Sequence, residues 1–181
     1  MGRNHKFMRI VFLDIDGVLA TSKQYETQRN KLYSRDPWAK ELRVPYMWNE
    51  RCVLAFNRFI RLHDVEIVLS SDWRRHWSLA EIDTIFKING VAKSPIGYTG
   101  KAIKENMSEN LESLRTREIQ DWLKENPVDA WCAIDDMNLS GLGVCFVQTD
   151  ERMGFGAKGF IEKVEHAMFP GLLRAEHGIC A

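Results

Sequence analysis

Three short apolar runs set the frame of this chain, and each ends in a cluster of polar residues. The first, Ile10-Val11-Phe12-Leu13-Asp14-Ile15, is apolar at five of six positions and leads into Asp16 and Gly17. The second, Val65-Glu66-Ile67-Val68-Leu69, runs into Ser70-Ser71, and the third, Ala130-Trp131-Cys132-Ala133-Ile134, into Asp135-Asp136. Such runs, with no regular polar alternation, predict strands buried on both faces, as in a parallel sheet. Gly143-Val144-Cys145-Phe146-Val147 predicts a further strand.

Helical periodicity fills the intervals. Residues 49–63 predict an amphipathic helix with Asn49 as N-cap and Val53, Leu54, Phe56, Phe59, Ile60 and Leu62 on its apolar face. Ser78-Leu79-Ala80-Glu81 is a capping box opening a helix to about Asn89, with Leu79, Ile82, Ile85, Phe86 and Ile88 inward and Gly90 ending it. Ile119, Trp122 and Leu123 mark a helix over 116–125, and 160–168 predict a terminal one. Residues 91–114, broken by Pro95, Gly97 and Gly100, carry no clear pattern. Strand, helix, strand implies right-handed parallel crossovers. The fold class is therefore α/β with a central parallel sheet, whose strand ends share the edge where open α/β sheets bind ligands.

Residues 20–48 stand apart. Tyr25, Tyr33, Trp38, Tyr46 and Trp48 are interleaved with Lys23, Arg29, Lys31, Arg35, Lys40 and Arg43, and Pro37 and Pro45 interrupt any period. A segment this long is a lid, a binding element or an irregular excursion. Its aromatics either pack locally or present stacking surfaces among basic groups.

The bulk numbers narrow the class. A chain of 181 residues predicts one domain over 1–181, and 45% apolar with 28% charged residues is ordinary for a globular protein. A formal net charge of zero excludes an overall basic field. No run reaches membrane-spanning length, and the first residues lack an apolar signal core. Cys52, Cys132, Cys145 and Cys180 show no C-x-x-C spacing, which argues against zinc and a disulfide framework and for reduced thiols in a cytoplasmic protein. No obligate protein partner is evident.

The chemistry lies at the strand ends. Asp14 and Asp16 share the alternation of the first strand, so both can project toward one site, and Gly17 lets the chain turn away sharply. Acids packed that closely repel unless a cation or shared proton relieves them, and Mg²⁺ is the natural hard cation for oxygen ligands. Asp135 and Asp136 would bring the total to four carboxylates, which also demands a basic residue nearby. Arg74 and Arg75 follow the hydroxyls of Ser70 and Ser71 closely enough for a guanidinium to fork onto oxygens held there.

Phe12-Leu13-Asp14-Ile15-Asp16-Gly17-Val18-Leu19 resembles the first motif of the haloacid dehalogenase (HAD) superfamily phosphatases. The resemblance implies a Rossmann-like three-layer sandwich, with 20–48 as a flap or minimal cap insertion. It implies Asp14 as nucleophile and Asp16 as general acid/base, the latter favouring phosphatase chemistry over phosphonate cleavage. Ser70, with Ser71 as alternative, would hold the transferred phosphate, and Arg115 would be the motif base ahead of Lys101, Lys104 and Arg117. Mg²⁺ would be held by Asp14, the backbone carbonyl of Asp16, and Asp136 ahead of Asp135. Gly17, Ser71, Arg74 and Lys101 would contact substrate.

Arg115-Thr116-Arg117-Glu118-Ile119-Gln120-Asp121-Trp122-Leu123 is similar to the R-G-x-E-I-x-x-W-L run of the HAD domain in Swiss Army Knife RNA repair proteins, with Thr116 where that subgroup has glycine. A more distant likeness is to the 3′-phosphatase half of phage-type polynucleotide kinase-phosphatases. Together they imply a Mg²⁺-dependent phosphohydrolase working through an aspartyl-phosphate on a nucleotide or nucleic-acid terminal phosphate. The alternatives are a small-metabolite phosphatase, or a binding module that keeps the fold without turnover.

Overall fold

A computed structural model describes residues 7–27, 47–100 and 110–170. The apolar runs form strands β1 (Arg9–Leu13), β2 (Glu66–Leu69) and β4 (Ala130–Asp135), joined by β3 (Gly97–Tyr98) and β5 (Phe146–Gln148). All pairings are parallel, in the order β3-β2-β1-β4-β5, so β1 lies at the centre. Its residues Ile10 to Leu13 are fully buried, which is why the run shows no alternation.

Helices cover both faces. One face of the sheet, with Val11, Leu13, Ile67, Leu69, Cys132 and Ile134, packs against α2 (Glu50–His63), α3 (Leu79–Ile88) and α5 (Phe160–Met168). The other, with Ile10, Phe12, Val68 and Ala133, packs against α4 (Leu111–Glu125) through Ile119 and Trp122. The result is the three-layer α/β sandwich. A single turn, α1 (Ser22–Tyr25), follows the loop after β1.

Local signals explain the helix ends. Asn49 accepts from the Arg51 and Cys52 amides at the start of α2, and both halves of the Ser78–Glu81 capping box are made at α3. No helix among the described residues is long and apolar enough to cross a membrane.

Several expectations need correction. α4 begins at Leu111, five residues before the predicted 116, because Asn110 caps it by accepting from the Ser113 amide at 2.8 Å. Its polar first turn shows no apolar period and so hides the start. β5 begins at Phe146, since 140–145 form 3-10 turns in which Gly143 has φ 65°. β3 had no strand signal; it exists because Ile96 and Thr99 amides donate to Ile67 and Leu69 of β2. Leu54, Leu62 and Ile88 are exposed rather than inward. Trp48, read as part of a polar excursion, is buried against Trp73 and Phe86. Residues 28–46, with most of the aromatic and basic groups of the predicted insertion, lie outside the described residues.

Candidate active site

Sheet pairing continues past the strand ends and sets the site. The Asp14 amide donates to Ile134 O at 3.0 Å, the Ser70 amide to Leu13 O at 2.8 Å, and the Thr99 amide to Leu69 O at 3.0 Å. Thr99, Ser70, Asp14 and Asp135 thus stand side by side along the carboxyl edge. Ser70, Asp14 and Asp135 follow Val68, Phe12 and Ala133 by two residues, so alternation aims them to the side that carries α4.

Carboxylate oxygens of Asp14, Asp135 and Asp136 lie within 4.8 Å of one another. Gly17 makes that approach feasible: its φ is 70°, and a Cβ there would meet Asp136 Cγ at 2.5 Å. The Gly17 amide donates to Ala20 O inside its own turn, so what the glycine contributes here is room. Asp135 is fixed by the Met137 amide, and the Asp136 carbonyl accepts from Gln148 Nε2.

The counter-charge is Arg115. Its Nη1 is 2.8 Å from Asp135 Oδ2 and 3.3 Å from Asp14 Oδ1, and Nη2 is 3.5 Å from Asp72 Oδ1. Burial works against its charge, but Asp14 and Asp135 outweigh burial and raise its pKa further above the arginine range. One guanidinium does not balance three acids. Burial and the neighbouring Asp135 push the Asp14 carboxyl well above the ordinary carboxylate range, against Arg115 and the Ser71 hydroxyl. Burial likewise pushes Asp135 up to about 6 and raises Asp136. Three acids that resist ionisation until more positive charge arrives, with oxygen donors alone, fit a hard divalent cation such as Mg²⁺.

The remaining predicted residues divide. Ser70 is 1% exposed and its hydroxyl has no hydrogen-bond partner. Ser71 bonds Asp14 and accepts from the Trp73 amide at 3.5 Å. The Asp16 side chain lies outside the three-acid cluster; it is exposed, and its Oδ2 accepts from Trp73 Nε1 at 2.8 Å. Arg74 is buried, with Nη1 donating to Ser71 O at 2.7 Å and Nη2 paired with Glu118. Its guanidinium is held in the interior. Lys101 and Lys104 lie outside the described residues.

Four residues were not singled out as site residues. Asp72 and Trp73 lie between the Ser71 hydroxyl and Arg74, and Glu118 lies in the run that begins at Arg115, none with a stated role. Thr99, fully buried with an unpartnered hydroxyl, follows a strand too short to be read.

An all-parallel sheet with a strand-end nucleophile candidate, a hydroxyl, an arginine and paired acids is the arrangement of a HAD-type phosphohydrolase. The model of the HAD domain in Swiss Army Knife RNA repair proteins matches residues 10–159, and the chain belongs to that family. No curated protein and no solved structure matches it.

Proposed function

We propose that this domain is a Mg²⁺-dependent phosphatase that forms an aspartyl-phosphate at Asp14 and acts on a nucleotide or nucleic-acid terminal phosphate. The observation that carries the reading is the placement of Asp14 at the centre of the sheet edge, between the unpartnered Ser70 hydroxyl and the acids Asp135 and Asp136, with Arg115 at 3.3 Å.

The chemistry follows from those groups. An Asp14 oxygen attacks phosphorus as the bond to the leaving oxygen breaks, splitting one displacement into two. Asp16 gives its proton to that oxygen. It then takes a proton from the water that attacks phosphorus, releasing phosphate and restoring Asp14. Ser70 and Arg115 donate to the non-bridging oxygens, where charge must be held. Asp14, Asp136 and the Asp16 carbonyl, with Asp135 alongside, would hold Mg²⁺, which when bound supplies the charge neutralisation between nucleophile and phosphoryl group.

For substrate class, the support is the family's occurrence in RNA repair proteins and the aromatic and basic composition of 20–48. We read 1–181 as one phosphatase domain in which 20–48 is a flap or minimal cap, leaving room for a polymer end. Free thiols at Cys52, Cys132 and Cys145 support a reducing, cytoplasmic setting.

The test is kcat/KM with Mg²⁺ for a 3′-phosphorylated oligonucleotide, a nucleoside monophosphate and a sugar phosphate, at low and moderate salt. The oligonucleotide should be preferred and should lose efficiency as salt rises, because phosphate contacts release counterions. A salt-insensitive preference for the sugar phosphate would make this a small-metabolite phosphatase. Oligonucleotide binding without turnover of any of the three would make it a binding module.

A further inference from the structure

The Asp16 side chain is exposed, yet a general acid must present one particular oxygen to the leaving group. An indole N–H meets it. Trp73 Nε1 donates to Asp16 Oδ2 at 2.8 Å across 57 residues of sequence. Trp73 is held both at its ring and at its backbone. It packs edge-on to Trp48, at 5.8 Å between centroids and 65° between planes, and Trp48 packs in turn on Phe86. Its backbone belongs to the 3-10 turn Asp72–Arg75, where its amide bonds the Ser71 hydroxyl and its carbonyl accepts from the His76 and Trp77 amides. The next residue, Arg74, locks that turn to α4 through Glu118.

From this geometry we propose that Trp73 is a positioning residue for the proposed acid. Its N–H holds Asp16 through Oδ2 and so fixes the orientation from which the carboxyl gives its proton to the leaving group and later takes one from water. An indole N–H is a donor only and has no lone pair to accept a proton, so Trp73 orients the transfer without taking part in it. The proposal rests on the acid/base reading of Asp16 and goes beyond it by naming the group that orients the acid.

Substrates that differ in how much their leaving group needs a proton provide the test. Values of kcat/KM, which report steps through leaving-group departure, are compared for p-nitrophenyl, phenyl and alkyl phosphates in wild type, Trp73→Phe and Asp16→Asn at saturating Mg²⁺. Phenylalanine keeps an aromatic ring against Trp48 and removes the donor. Trp73→Phe should lose about tenfold or more on the phenyl and alkyl esters, part of the ~10²–10⁴-fold worth of a general acid. It should stay near wild type on the p-nitrophenyl ester, which departs readily as an anion. A benzothienylalanine at position 73, which keeps the indole shape without the N–H, should behave the same and decides the matter if Trp73→Phe folds poorly. If Asp16→Asn shows the leaving-group-dependent loss while both changes at 73 are neutral or lower all three substrates equally, the role of Trp73 is overturned and that of Asp16 stands. If Asp16→Asn itself lowers all three equally, the acid reading fails and this proposal with it.

Discussion

Arg74 and Glu118 are paired in the interior, each side chain 1% exposed, and the pair ties the turn after β2 to the helix that carries Arg115. Two stretches that read in sequence as separate motif matches are one structural unit. Removing one partner strands a buried charge, which costs about 3–5 kcal/mol. Glu118→Ala should therefore lower unfolding stability by that order in denaturant titration. The double replacement Arg74→Met with Glu118→Leu should recover most of the loss. Unfolding of Glu118→Ala indistinguishable from wild type would mean the pair does not hold the two elements.

Gly17 faces Asp136 so closely that any side chain must displace the carboxyl group. Gly17→Ala combines that clash with a strained left-handed backbone, each on the order of 1–3 kcal/mol. The expected outcome is a folded protein that needs more Mg²⁺ for half-maximal activity, read by titrating the cation against turnover.

The acids predict an inverted pH dependence for the metal-free protein. Asp135 is raised from 3.8 to about 6 and Asp14 is raised too, so between those values the folded chain holds protons the unfolded chain has released. Stability contributed by the protonated forms is then lost as pH rises through the folded pKa. In EDTA the melting temperature should fall between about pH 4 and pH 6 through this contribution, and Asp135→Asn should flatten the slope. Added Mg²⁺ should raise the melting temperature more at the higher pH, where the ligands ionise at less cost. A cation effect independent of pH would show that these carboxyls are not its ligands.

Arg115 sets the charge of the site. Arg115→Ala should lower kcat by about 10²–10³-fold, the range for loss of a donor to developing charge. Arg115→Lys should regain only part of it, because an ammonium cannot span Asp14 and Asp135 as the guanidinium does. Steady-state kinetics at saturating Mg²⁺ check both.

The strand-end positions of Asp14, Ser70, Asp135 and Asp136 are legible in the sequence because burial on both faces writes an unbroken apolar run before each. Arg115 could be reached only through motif likeness, since several basic residues competed and the polar first turn of α4 conceals that Arg115 and Ile119 lie one turn apart on its buried side. The Trp73–Asp16 and Arg74–Glu118 contacts span 57 and 44 residues and leave no local period to read. β3 is invisible for a related reason. Two residues carry no alternation, and its register comes from β2 rather than from its own side chains.

The central claim is that Asp14 is the nucleophile. Its most direct test is turnover of purified Asp14→Asn, shown to be folded by its circular dichroism and melting curve, on the preferred substrate with saturating Mg²⁺. Asp14→Asn should lose essentially all turnover, more than about 10³-fold, as when a group that acts chemically is removed. Hydrolysis by the folded variant at near wild-type rate would contradict it.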